Sequence, residues 1–369
     1  MDPNVIKLAM GAGGAGEKEY DLYAWGYNGL GQLGLDDTTS RSSPVQVGAL
    51  TTWDKVASGR LHSIAIKTDR TLWIWGLNNF GQLGLGDVTD RSSPVQVGAL
   101  TTWNNVAGGF SHTIATKTDG TLWAWGFNSL GQLGLGDVTD RSSPVQVGAL
   151  TTWSKVACGK EHNIATKTDG TLWAWGYNFR GQLGLGNTSN RSSPVQVGAL
   201  TTWSNIACGR LHTIATKTDG TLWAWGRNNY GQLGRGTTAD YSSPLQVGSL
   251  TTWDKVACGR YHTIATQTDG TLWAWGRNNF GQLGLEDVTS RSSPVQVGAL
   301  TTWNKVQSGD ANIIATKTDG TLWGWGSNIQ GQLGIGTTTN RSSPVQVGAL
   351  TTWKNIACGY SHTIATTEE

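Results

Sequence analysis

A sustained helical period is missing from this chain of 369 residues, so no long amphipathic helix is expected anywhere in it. Long hydrophobic runs are missing as well. The apolar stretch nearest the start is short and broken by Lys7, which excludes a transmembrane helix or a signal-peptide core there. A formal net charge of +2 is small for this length and implies no whole-molecule attraction to nucleic acid. Cysteine is scarce: Cys158, Cys208, Cys258 and Cys358 fall at one recurring spacing, unlike a disulfide framework. A reducing setting is therefore expected, cytoplasmic or virion-associated, with no membrane partner. Nor is there a Pro-rich linker, a charge run or a shift in composition at which a second domain would begin.

What the chain has is repetition. "TLWAWG" or a close variant begins at residues 21, 71, 121, 171, 221, 271 and 321, and "TTW" at 51, 101, 151, 201, 251, 301 and 351. Each period reads as four short strands: "KVACG" (A), "HTIAT" (B), "TLWAWG" (C) and "SPVQVG" (D), rich in β-branched and aromatic residues and bounded by Gly, Pro or Asp-Gly. The "TDGT" between B and C predicts a two-residue type I′ hairpin, with Arg70 replacing the Gly once. Seven such units make an all-β, seven-bladed β-propeller of four-stranded antiparallel blades. A solenoid is the competing architecture. The repeats begin on strand C near Asp21 and finish on strand B at Thr366, so strands from both termini would join to complete the seventh blade and close the ring. The expected organisation is a flexible Gly-rich leader over 1–19 and a single propeller over 20–369.

Comparing the seven copies with one another separates scaffold from surface. Variation concentrates in the A–B turn and in the C–D loop after "WG", which in a meander of four strands emerge on one face of the ring. The turn between "KVACG" and "HTIAT" holds Arg60, Phe110, Lys160, Arg210, Arg260 with Tyr261, Asp310 and Tyr360 in successive copies. The C–D loops hold Phe80, Phe127, Tyr177, Phe179, Arg180, Arg227, Tyr230, Arg235, Arg277 and Phe280. None of the phenylalanines serves the repeated core. Aromatic and Arg side chains dominate interface hot spots because they bury area or form several hydrogen bonds at low entropic cost. A basic, aromatic sector is thus expected, interrupted by Asp310, and suited to another protein whose surface is acidic. Free drift of duplicated loops is the bland alternative.

Other chemistry is poorly supported. The pairs Cys158/His162, Cys208/His212, Cys258/His262 and Cys358/His362 have zinc-compatible donors, yet each pair lies in a different blade. The recurring His becomes Asn312 in the sixth copy, and Asn imitates the hydrogen bonds of neutral imidazole but not its acid–base chemistry. "GAGGAG" at 11–16 matches a dinucleotide fingerprint as a bare string, without the helix that should follow. No metal, cofactor or catalytic residue is expected.

The motifs "GQLGLG", "SSPVQV" and "CGRLHTIATKTDGTLWAWG" resemble the tandem repeats of the regulator of chromosome condensation family, over residues 20–366. The resemblance implies a seven-bladed propeller and brings three precedents: a guanine nucleotide exchange factor that binds chromatin, the plant UV-B photoreceptor, and a propeller that inhibits β-lactamases. No copy carries an inserted wedge as the exchange factor does. The photoreceptor's "GWRHT" motif places Trp in a slot that here holds Arg60, Phe110, Lys160, Arg210, Arg260, Asp310 or Tyr360. A non-catalytic protein-binding scaffold fits best. A light-responsive, photoreceptor-like dimer and a virion or envelope component remain open, as does the oligomeric state.

Overall fold

The computed structural model describes residues 19–368. The expected leader and its "GAGGAG", apart from Glu19, lie outside the described residues. The strands, β1–β28 in chain order, fall into seven four-stranded antiparallel sheets arranged as a propeller. Blade 1 comprises β3 (Trp53–Ser58), β4 (His62–Lys67), β5 (Leu72–Gly76) and β6 (Arg91–Gln96), and blades 2 to 6 repeat this A–B–C–D order. Blade 7 is composite: β27 (Trp353–Cys358) and β28 (His362–Thr367) pair with β1 (Leu22–Gly26) and β2 (Arg41–Gln46). Thr363 lies opposite Trp25 in that junction. The ring therefore closes with strands from both ends of the repeat array, as the sequence predicts. No described helix is long and apolar enough to cross a membrane.

Strands A and D begin two residues before the β-branched runs that suggest them, at Trp253 rather than Lys255 in blade 5, for example. Pro44 is tolerated in β2 because D is the outermost strand, where no further ladder partner needs its missing N–H.

The B–C connection differs from the expected type I′ hairpin. Lys117 N–H donates to Thr121 C=O (3.0 Å) and Gly120 N–H to Lys117 C=O (3.0 Å), a three-residue loop. Gly120, at φ +76°, alone takes a positive φ there. This is the pattern of a turn followed by one left-handed residue. Asp119 is freed to accept from Thr121 N–H (2.9 Å) and Oγ1 (2.7 Å). Arg70 occupies the left-handed position in blade 1 at φ +65°.

The apolar core sits between blades. At one seam Ile264, Leu272, Leu283 and Val297 of blade 5 meet Trp303, Ala315 and Trp325 of blade 6. In each blade the strand A tryptophan meets strand C aromatic rings edge-on, as Trp53 does with Trp73 (5.9 Å) and Trp75 (6.3 Å). Trp75 also slides beneath the preceding blade, where a Cβ on Gly34 would fall 2.8 Å from its indole nitrogen.

A polar clasp fastens each seam above this core. Gln82 C=O in blade 1 accepts from Thr113 Oγ1 (2.9 Å) and Trp125 Nε1 (2.9 Å) of blade 2. His62 Nε2, also of blade 1, meets the same Thr113 hydroxyl at 3.1 Å. Because that hydroxyl spends its proton on Gln82, the imidazole must donate, which fixes the Nε2–H tautomer. Asn163 replaces Thr in blade 3 and demands the same tautomer, its Oδ1 accepting from His112 at 2.8 Å while its Nδ2 donates to Gln132 C=O.

Blade 6 departs from this scheme. Ile313 stands where a hydroxyl or amide belongs, His262 turns to Ser308 Oγ (2.9 Å), and Trp325 Nε1 and both amide atoms of Asn312 are buried without a partner among the described residues.

Two outcomes follow from this packing. Arg70→Gly relieves a left-handed non-glycine residue and should raise stability by about 1 kcal/mol, read as a higher Tm. Thr213→Val strips a seam of its hydroxyl and leaves His162 N–H buried and unpaired, and should lower the unfolding free energy by about 2 kcal/mol in denaturant titration.

Candidate functional site

The A–B turns ring one mouth of the central channel. Arg60, Phe110, Lys160, Arg210, Arg260, Asp310 and Tyr360 line it, around a cavity of about 450 Å³. Their backbones are tied around the circle: Phe110 N–H donates to Lys160 C=O (3.1 Å), Arg260 N–H to Asp310 C=O (3.0 Å), and Tyr360 N–H to Arg60 C=O (3.0 Å). The C–D loop begins beside the turn of its own blade, as Arg277 N–H donating to Tyr261 C=O (2.8 Å) shows. A–B and C–D loops thus share one face, as expected.

The side chains form four groups. In blades 4 and 5, Tyr230 and Tyr261 lie 5.1 Å apart. Arg277 stands 5.0 Å from the Tyr230 ring, Arg227 and Arg260 stand 5.2 and 5.1 Å from Tyr261, and Arg210 donates to the Tyr261 hydroxyl at 3.4 Å. Across the mouth, Arg60 sits 4.0 Å from the Phe110 ring and 5.0 Å from Tyr360. Phe80 and Phe127 form a separate pair at 4.6 Å. In blade 3, Tyr177 stacks on Phe179 (6.4 Å) while Arg180 pairs with Asp240 at 3.4 Å. Phe280 is set apart, half-buried over its own loop, where its N–H donates to Gln282 Oε1.

Two expected positions need correction. Tyr261 is not an exposed hairpin tip: only 8% of it reaches solvent, because the surrounding Arg side chains and Tyr230 cover it. Arg235 does not join the mouth, since it stands where the other blades have Leu or Ile, hydrogen-bonded to Gln246 C=O and 5.5 Å from the Tyr241 ring. Conversely, Ile329 is 62% exposed on the blade 6 C–D loop and extends the apolar surface; it occupies the same repeat position as Phe179, the signal that could have found it.

Charge on this face is unevenly compensated. Lys160 pairs with Glu161 (3.0 Å) and Arg260 with Asp310 (3.5 Å). Arg60, Arg210, Arg227 and Arg277 have no carboxylate partner among the described residues, and aromatic rings or a phenol hold them instead. Burial works to raise the Tyr261 phenol, but the hydrogen bond from Arg260 and the charges of Arg210, Arg260 and Arg227 outweigh it and pull its pKa below the ordinary value. Burial pushes the Asp310 carboxyl upward against the pull of Arg260, Arg210 and Arg60.

Beneath the turns, burial pushes His62, His162, His212, His262 and His362 down to about 3, and His112 to about 4. The thiols at the ends of the A strands are free, and burial pushes them up, Cys358 to about 12. Neutral imidazoles locked in seams and protonated thiols are poor material for a metal centre, and no group of three His, Cys, Asp or Glu among the described residues is placed to hold an ion.

The chain matches the RCC1-like domain family over residues 7–204 and 149–369. Among solved structures it is similar to human WBSCR16, at 22% identity and TM-score 0.85, covering 94% of this chain and 98% of that one. It is similar to Saccharomyces cerevisiae Prp20p, described with its binding properties to Gsp1p and histones, at 20% identity and TM-score 0.85, with 95% and 91% covered. Yeast RCC1 (Prp20) bound to Kap60 gives 20% identity, TM-score 0.84, and 95% and 89% covered. At these identities the likeness establishes the fold. No curated protein sequence matches the chain.

The buried imidazoles generate a pH prediction. A His whose folded pKa lies below its unfolded value is neutral in the native state while the unfolded chain takes up a proton, so stability is complete above about pH 6.5 and falls as pH drops toward the folded value. Each such His should steepen the slope by about 1.4 kcal/mol per pH unit inside that window. His212→Asn should flatten the slope between about pH 6 and 4 by one proton equivalent, measured by urea unfolding at stepped pH. Lowered carboxylates such as Asp37 and Asp87 act in the same direction, but at lower pH.

Proposed function

Because the chain belongs to the family of RCC1-like domains, we propose that it is a non-catalytic scaffold that binds another protein, of acidic surface, on the A–B and C–D loop face. The observation that carries this reading is the set of Arg60, Arg210, Arg227 and Arg277, positioned by aromatic neighbours and with no carboxylate at ion-pair distance among the described residues. A guanidinium already fixed by a ring loses little conformational freedom when a partner carboxylate arrives, and keeps its bidentate donors for it. Phe179, 64% exposed, supplies apolar area at the edge of the same face. Tyr261 acts from below, as the platform that spaces the cations. That Prp20p engages Gsp1p and histones on the same fold supports a binding role for a ring of this kind.

The two other readings gain less. A light-responsive dimer would draw on surface-clustered indoles, whereas the tryptophans here are spent on packing within and between blades.

The test is differential capture. A variant carrying Arg60→Ala, Arg210→Ala, Arg227→Ala and Arg277→Ala should keep the wild-type circular dichroism and lose the wild-type partner by at least about tenfold, and wild-type capture should weaken steeply with salt. Recovery of the same proteins by both baits, or of none by either, would overturn the proposal.

A further inference from the structure

The loops of the opposite face repeat almost unchanged, but the A strands that open there do not. At one recurring position Lys55, Lys155, Lys255 and Lys305 are interspersed with Asn105, Asn205 and Asn355, around a second cavity of about 510 Å³ at the other end of the channel. Val56, Val106 and their counterparts form the apolar waist between the two mouths.

Every member of this ring donates to a backbone carbonyl one blade on. Lys55 Nζ reaches Asn104 C=O (2.7 Å), Lys155 reaches Ser204 (3.0 Å), Lys255 reaches Asn304 (2.6 Å) and Lys305 reaches Lys354 (2.8 Å). The Asn side chains do the same: Asn105 to Ser154 (3.0 Å), Asn205 to Asp254 (2.7 Å) and Asn355 to Asp54 (2.6 Å). The girdle is closed, and amides serve it as well as ammonium groups do. Structural need therefore explains a donor at this position but not a charge.

Four like charges around one cavity repel one another. The compensation at hand is partial: Asp254 lies 3.6 Å from Lys255, Asp54 lies near Lys55 together with the opposing Arg70, and Glu368 is engaged by Lys354. Lys155, the most exposed of the four, has no carboxylate within ion-pair distance among the described residues. Lys305 is crowded by burial and by Lys354 and Lys255, which together depress its pKa.

We propose that this second mouth is a binding site for a compact multivalent oxyanion, of the oligophosphate or tricarboxylate class. The cavity is large enough for several anionic groups, and ammonium groups on flexible stems act as point charges that need no bidentate geometry. With Ser204 C=O and Asn205 Oδ1 already accepting from it, the Lys155 ammonium keeps one hydrogen to offer to the anion.

The protein itself supplies the control, since Asn keeps the girdle bond and removes the charge. Isothermal titration of the full chain with tripolyphosphate, and separately with citrate, at constant ionic strength should give saturable binding below about 1 mM for at least one of them. The two titrations distinguish the phosphate from the carboxylate source. The variant Lys55→Asn, Lys155→Asn, Lys255→Asn and Lys305→Asn should bind that anion at least about tenfold more weakly, and the lone Lys155→Asn about threefold more weakly. The single variant carries the test if the fourfold one does not fold. Absence of saturable binding to the wild type, or unchanged affinity in the folded variants, would overturn the proposal. The first mouth is untouched by these substitutions, so the outcome is independent of partner capture there.

Discussion

One carbonyl per blade holds the ring together. A β-sheet blade satisfies its own backbone internally, so nothing in its ladder prescribes how it meets the next. The apolar seam supplies attraction without direction. Gln82 C=O and its equivalents supply the direction: at every seam but the one entering blade 6, the carbonyl accepts from a hydroxyl or amide and from an indole N–H of the following blade, with a neutral imidazole on the other side at most of them. Buried donors leave little latitude, because a missed bond leaves a desolvated polar group behind. The spacing of the A–B turns around the channel follows, and with it the placement of every side chain on the loop face.

The architecture was legible because the sequence states it seven times. Alternation, turn residues and the split blade were each visible, and together they left a closed ring as the consistent answer. Local backbone was less legible. Asp-Gly reads as a hairpin of the mirror-image type, yet Asp119 is more useful with ordinary φ, where its carboxylate caps Thr121 and so orients the Trp123 indole through the Thr121 hydroxyl. Which loops vary could be read directly, and the first residues of the variable A–B turns line one mouth. Their burial could not be read: Tyr261 and Arg260 are adjacent and equally variable, but one is covered by the cations that the other belongs to. Arg235 shows the same limit, since a guanidinium in a sequence gives no sign that it has taken a Leu position beside strand D. The Lys/Asn girdle escaped notice because alternation between two polar residues on a strand resembles indifference until the carbonyl that both serve is seen.

The two ends of the channel use cations differently. At the first mouth, guanidinium groups lie against rings that fix their planes, an arrangement suited to a particular partner surface. At the second, ammonium groups on flexible stems share a cavity with amides. The waist of Val and Ile between them keeps the two electrostatic environments apart within one narrow channel.

The sixth blade gives the ring an orientation that near-identical repeats would otherwise deny it. Seven equal links would open anywhere with equal ease. With Ile313 and Asn312 in place of the clasp, the seams of blade 6 have fewer directed bonds than the rest, while the Arg260–Asp310 ion pair bridges the gap at the channel mouth. Thermal fluctuation concentrates where local opening costs least. A molecule that looks rotationally uniform therefore has one seam with fewer directed bonds than its neighbours, set by the residues of a single repeat.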